Sequence, residues 1–232
     1  MLKNGNENPG RLLKILALLT SEVVILMALF FTGLITFLLL AGDILSGNNY
    51  AFDAFAFQIA TSLAGNIQTK IMLIFSFLGS QFFLVPAIIL LIVWFIFFQK
   101  KKWFSIKIPA VAITSLLLMM SLKLFFQRPR PLNPLLEQAA GFSFPSGHSM
   151  MSATFYGLLL YILFLHVKNT WWRILIALSL TSIIVLVGFS RIYLRVHYAS
   201  DVIAGFSLGI TWLILSLFIL TKIEKRSVKK II

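Results

Sequence analysis

Six stretches of the chain are apolar over about 20 residues, the length a helix needs to cross bilayer hydrocarbon. They cover residues 15–41, 71–98, 104–126, 148–165, 172–190 and 202–221. Lys3, Arg11 and Lys14 precede the first, a start that resembles a signal peptide, but the run is longer than the h-region of about 7–15 residues that class requires. Pro86 marks a candidate kink in the second. Between these two, Phe52, Phe55, Ile59 and Leu63 recur at helical spacing, with Asp53, Gln58, Thr61 and Ser62 among them. That pattern predicts a short amphipathic helix lying on the membrane surface. A Pro- and Gly-rich polar loop occupies 127–147, where Arg128-Pro129-Arg130-Pro131 cannot continue a helix. The expected fold is all-α: one domain over 1–232, a polytopic membrane bundle of six transmembrane helices with a short interfacial helix after the first. No internal repeat or low-complexity segment interrupts it.

Composition supports the pattern and removes whole classes of function. The chain is 59% hydrophobic and 12% charged, with mean hydropathy +0.97, whereas a soluble domain carries about 25% charged residues. A soluble globular enzyme and a disordered tail are both excluded. A net charge of +13 suggests nucleic acid at first sight. On an apolar chain the excess of Lys and Arg reads instead as topology signals and lipid head-group contacts, and no nucleic-acid partner is expected. There is no cysteine, so disulfides, thiolate catalysis and Cys-based metal sites are ruled out.

Alternate sides of the predicted bundle carry unequal charge. Fourteen Lys and Arg fall on the side of the termini, including Lys100–Lys102 and the tail Lys222, Lys225, Arg226, Lys229 and Lys230. Six fall on the other: Lys70, Lys123, Arg128, Arg130, Arg191 and Arg195. The positive-inside rule puts both termini in the cytoplasm, and Trp171 and Trp172 fit an interfacial aromatic belt there. Five of the six outer cations, together with His148, His197 and Asp201, then gather at one extracytoplasmic face.

Cations concentrated at a bilayer boundary call for an anionic partner. Lys123 and Arg130 supply a point charge and a bidentate fork suited to phosphate. Pro145-Ser146-Gly147-His148 opens the fourth span, where Gly147 permits close backbone approach and helix N–H groups favour an anion. His197 and Asp201 are four residues apart and share a helical face, so the carboxylate can fix the imidazole tautomer that leaves the other nitrogen free to attack. His148 is placed to protonate the departing oxygen. Asp201 is the one carboxylate within these clusters, a poor magnesium site, so neither metal nor cofactor is expected.

Lys123…Arg130-Pro131, Pro145-Ser146-Gly147-His148 and Ser190-Arg191…His197…Asp201 resemble the three signature motifs of the type 2 phosphatidic acid phosphatase superfamily. They fill the pattern in order across 123–201, and the six-span layout extends the likeness to nearly the whole chain. The resemblance implies a phosphohistidine on His197, oriented by Asp201, with His148 as general acid. It also implies phosphate binding by Lys123, Arg130, Ser146, Gly147 and Arg191. Within the family the chain is most similar to bacterial membrane phosphatases acting on phosphatidylglycerophosphate and undecaprenyl diphosphate. The expectation is therefore a metal-independent lipid phosphatase in the bacterial cytoplasmic membrane, taking its lipid phosphate from the bilayer, with undecaprenyl diphosphate favoured by the outward site and phosphatidylglycerophosphate a close second. A lipid or phosphate transporter is the alternative, but such sites need broken helices and polar residues at mid-span.

Several residues remain outside this scheme. His166 reads as interfacial packing. Arg128 and Arg195 belong either to the site or to lipid head groups. Glu22 is a functional candidate by its position in the first span, or a side chain that snorkels to the cytoplasmic interface. Gly205 and Gly209 suit close helix packing within one bundle rather than dimerisation. The phenylalanines read as lipid-facing bulk, with those near 52–57 also candidates to line an acyl-chain entrance.

Overall fold

A computed structural model describes residues 21–47, 51–99, 102–135 and 140–229. Those residues form eight helices and no strand. They are α1 (Ser21–Leu45), α2 (Ala51–Ser62), α3 (Asn66–Leu78), α4 (Gln81–Phe97), α5 (Lys102–Phe126), α6 (Gly147–His166), α7 (Thr170–Tyr193) and α8 (Ala199–Lys229). Five of them, α1 and α5 to α8, are long and apolar enough to cross a membrane, and α3 with α4 makes a sixth span as a bent pair. The chain is thus a multi-pass membrane bundle, as the apolar pattern predicts.

The bend falls elsewhere than expected. Pro86 lies inside α4, while α3 and α4 meet at 43° across Gly79 and Ser80. Packing explains the position: a Cβ on Gly79 would lie 2.3 Å from Val187 of α7 and 3.5 Å from His148. The chain therefore turns where only hydrogen fits, and the Tyr156 hydroxyl of α6 donates to the Leu78 carbonyl beside the break at 2.9 Å. Two other boundaries shift. The first span runs on through Asp43 to Leu45, and α8 continues two turns past Thr221 into the basic tail. The start of the first span, its preceding basic residues, Lys100, Lys101 and Lys230 lie outside the described residues, as does the side chain of Glu22.

Burial ranks the helices. Half of α6's apolar window is buried but only 6% of α1's, so α6 is central and α1 largely faces outward. Leu39, Leu90 and Phe97 are exposed on such outward faces, as hydrocarbon surroundings permit. The tightest packing joins α6 to α8. A Cβ on Gly205 would stand 2.7 Å from the Ser146 carbonyl, and one on Gly209 2.7 Å from that of Met150. These two glycines therefore serve close packing inside the bundle. Phe37 of α1 stacks on Phe144, which also meets Phe126 edge-on, so a buried core of Phe37, Phe144, Met150, Ala204 and Leu208 underlies the long loop.

The helix ends sort by alternation. At one end the buried Lys107 of α5 donates to Glu224 at 2.6 Å and to Thr221 at 3.1 Å on α8. His166 is at that end too, beside Phe95 and Phe104, in line with a packing role. The opposite end holds the C-termini of α5 and α7, the N-termini of α6 and α8, and α2. Phe52, Phe55 and Ile59 of α2, with Leu63 just past its end, are exposed, as are the polar Gln58, Thr61 and Ser62, while Asp53 and Ala60 turn into the protein.

Gly205→Ala should lower stability by about 1–3 kcal/mol, the usual cost of overpacking. Gly42→Ala, whose Cβ would meet nothing within 4 Å, should be near neutral. Thermal unfolding of both in one detergent checks the pair, and equal behaviour would contradict the α6–α8 contact.

Candidate active site

The predicted residues converge on that end. Lys123 sits in the last turn of α5 and Arg191 in the last turn of α7. Ser146 caps the N-terminus of α6, its buried hydroxyl accepting from the Ser149 hydroxyl at 2.9 Å, with Gly147 and His148 following as the first helical residues. A Cβ on Gly147 would touch Met119 at 3.4 Å and the Lys123 stem at 3.9 Å, so the small residue sets this helix start against α5. His197 lies in the link between α7 and α8, and Asp201 in the first turn of α8. Arg191, His197, Arg130 and Lys123 all act electrostatically on His148, which places the separate motifs around one spot.

Asp201 has no exposed surface and is saturated with donors. Its Oδ1 accepts from Arg128 at 2.6 Å. Its Oδ2 accepts from the Ser143 hydroxyl and from the Tyr198 backbone N–H at 2.9 Å, and lies 3.5 Å from His197 Nδ1. On the other side of the ring, Arg130 Nη1 stands 3.2 Å from Nε2. These partners suit the tautomer protonated at Nδ1, with the Nε2 lone pair turned toward a guanidinium. Burial pushes the His197 pKa down to about 4, against the raising effect of Asp201, so the ring is neutral at physiological pH.

The cations are held by neutral atoms, which leaves their charge available. Arg130 donates to the carbonyls of Ala140, Gly141 and Val196 at 2.8–2.9 Å, and Lys123 to that of Phe142. Burial lowers the Arg130 pKa from its ordinary value, a measure of how poorly its charge is solvated. Arg191 donates from Nη1 to Ser76 of α3, while its buried Nε has no acceptor among the described residues. A buried, unmatched donor among cations fits an anion with several acceptor oxygens.

Arg128 is resolved as part of the site's frame rather than a lipid contact. It bridges Asp201 of α8 and Asp53 of α2, the latter at 3.1 Å, and its guanidinium lies 4.1 Å from the Tyr198 ring. Asp53 also accepts from the Ser200 N–H at 2.8 Å and the Ser200 hydroxyl at 2.7 Å, which caps the start of α8. Sequence reasoning did not single out Asp53, Ser76, Ser143 or Ser200. Asp53 alone carried a signal, as the one carboxylate of the predicted amphipathic helix. Among the described residues no group of three His, Cys, Asp or Glu side chains has the spacing to hold a metal ion.

An imidazole braced by a shielded carboxylate, with its free nitrogen facing cations at the end of a membrane bundle, is equipped for phosphoryl transfer. The class this defines is a membrane phosphatase. The sequence pattern of the PAP2 superfamily matches residues 104–225, and the chain belongs to that superfamily. It is 34% identical over 195 residues to phosphatidylglycerophosphatase B of Bacillus subtilis, covering 84% of this chain and 93% of that protein. The crystal structure of the transmembrane PAP2-type phosphatidylglycerolphosphate phosphatase from Bacillus subtilis superposes with a TM-score of 0.73 at 31% identity, covering 87% of this chain and 96% of the other. That of Aquifex aeolicus LpxE gives 0.59 at 28% identity, over 73% and 97% respectively.

Arg128→Met should cost about 3–5 kcal/mol of stability, because two buried carboxylates lose their shared cation. Adding Asp53→Asn should recover part of it, and a thermal double-mutant cycle in detergent reads the coupling. For His197, the depressed pKa means that charge is gained only as pH falls through about 4. Side-chain 15N spectra of phosphate-free protein should then show the His197 imidazole still neutral at pH 5, identified as the neutral-ring signal that is missing from His197→Gln.

Proposed function

We propose that the protein hydrolyses the terminal phosphate of a membrane lipid phosphate through a covalent phosphohistidine, without a metal. The observation that carries this reading is the setting of His197: Nδ1 beside the buried Asp201 and Nε2 beside Arg130. Nε2 attacks phosphorus, the new P–N bond forms as the bond to the leaving oxygen breaks, and His148 gives that oxygen its proton. Water then attacks the phosphohistidine with His148 as base, releasing inorganic phosphate. Lys123, Arg130, Arg191, the Ser146 hydroxyl and the N–H groups around Gly147 hold the phosphoryl oxygens. Arg130 faces Nε2 in the free protein, so an incoming phosphate must take over that guanidinium before attack begins. The metal-free reading draws on the donor set: Asp201, already bound by Arg128, Ser143 and Tyr198, has no oxygen to spare for magnesium.

Phosphatidylglycerophosphate is the substrate favoured by the likeness to phosphatidylglycerophosphatase B. Undecaprenyl diphosphate is the second, because the charge asymmetry favours a bacterial cytoplasmic membrane with both termini inside and the site facing out. A phosphate on an outer-leaflet carrier lipid would be presented there.

Phosphate release by detergent-purified protein, with EDTA present, from both lipids tests the reading. His197→Ala should lose at least about a thousandfold in turnover, the scale seen when a covalent nucleophile is removed, while its thermal unfolding is retained. Substantial residual activity in the variant, or a requirement for added magnesium, would overturn the mechanism.

A further inference from the structure

Beyond the phosphoryl site lies a cavity of about 700 Å³ between α2 and the two loops that carry Arg130 and His197. Its walls continue directly from the site: Pro131 follows Arg130, Tyr198 follows His197, and Arg195 precedes His197 by two residues. Chain geometry keeps the Arg195 and His197 Cα atoms within about 7 Å. Phe57, Pro131 and Leu132 make the lining apolar in part, and Gln58, Thr61 and Asn133 add hydrogen-bonding groups. Among the described residues Arg195 is the one charged group in its lining.

Two features set this arginine apart. Its φ of +53° is the left-handed region, which glycine enters freely and a large side chain rarely occupies. Outliers of that kind persist where surrounding structure holds them and concentrate at functional sites. Its guanidinium donates to the Thr61 hydroxyl at 2.5 Å, and among the described residues no carboxylate forms a salt bridge with it. Arg128 nearby is the contrast, since Asp53 and Asp201 neutralise it.

We infer that this cavity receives the second, non-hydrolysed phosphate of a doubly phosphorylated lipid, with Arg195 as its cationic contact and Thr61 as the brace that aims it. The inference rests on the lipid phosphatase reading. The first phosphate sits against His197, the second reaches Arg195, and the chains leave along the apolar stripe of α2 past Phe55. Two chemistries supply such a group: a phosphodiester one glycerol away from the scissile phosphate, or the inner phosphate of a lipid diphosphate.

The test compares phosphatidylglycerophosphate, undecaprenyl diphosphate and phosphatidic acid, which has a single phosphate, as substrates of the purified full chain in detergent. Wild type is assayed beside Arg195→Gln, Arg195→Lys and Arg195→Gly, the last removing the charge while suiting the backbone. Gln and Gly should lose about tenfold to a hundredfold in kcat/KM, mostly through KM, on at least one doubly phosphorylated lipid, the size expected for a lost charge-assisted hydrogen bond. Phosphatidic acid turnover should stay within about twofold, as for a contact that substrate never makes, and Lys should restore most of the loss. Whichever lipid suffers identifies the chemistry of the second phosphate. Equal losses on all three lipids, or none, would overturn the inference while leaving the phosphatase intact. A wild type that hydrolyses none of the three would overturn the lipid phosphatase reading, and this inference with it.

Discussion

Everything at the site end of the bundle depends on holding one buried carboxylate without water. Asp201 has no exposed surface, and a buried charge is costly unless donors match it. Arg128, the Ser143 hydroxyl and the Tyr198 N–H replace its hydration shell, and each comes from a different direction. Arg128 is fixed in turn by Asp53, so α2, the long loop and α8 are tied by one chain of charge-assisted bonds. A solvated aspartate could not hold the His197 ring in one tautomer so firmly. Removing any link would leave a buried charge unmatched, which costs more than the link contributes while intact.

Hydrocarbon supplies little drive for helix association, so the scaffold under this network is built by shape. Gly205 and Gly209 bring α8 against the first turns of α6, and Gly79 brings the bent second span against Val187 and His148. These contacts lie directly below the reacting groups. The Ser146 N–H donates to the Asp201 carbonyl at 3.0 Å, which joins the cap of α6 to the first turn of α8. Close packing thus sets the separation of the two histidine-bearing motifs, and electrostatics only fine-tunes what the glycines allow.

Much of this was legible in the chain itself. Apolar runs of spanning length mark the bundle, and Lys123, Arg130, Ser146, Gly147, His148, Arg191, His197 and Asp201 stand in compact local patterns. The frame around them was not. Asp53 meets Ser200 across 147 positions and Arg128 across 75, distances at which no periodicity links two residues. Sequence left Arg128 equally a site residue or a head-group contact, and only its two carboxylates decide between them. The bend escaped for a related reason: proline announces a kink locally, whereas Gly79 breaks its helix because of a side chain on α7.

The link from Asp53 through Arg128 to Asp201 also bears on how such a chain can drift. A lone change at Asp53 or Arg128 strands a charge, so the two are expected to vary as a unit or stay as they are. The return of the loop that carries Arg128 is tied at several points: Arg130 holds the Ala140 and Gly141 carbonyls, Lys123 that of Phe142, and Ser143 and Phe144 meet Asp201 and the core. What inheritance has to preserve is therefore the count of buried charges, together with the loop carbonyls that hold Arg130 and Lys123, more than the identity of the side chains along the loop.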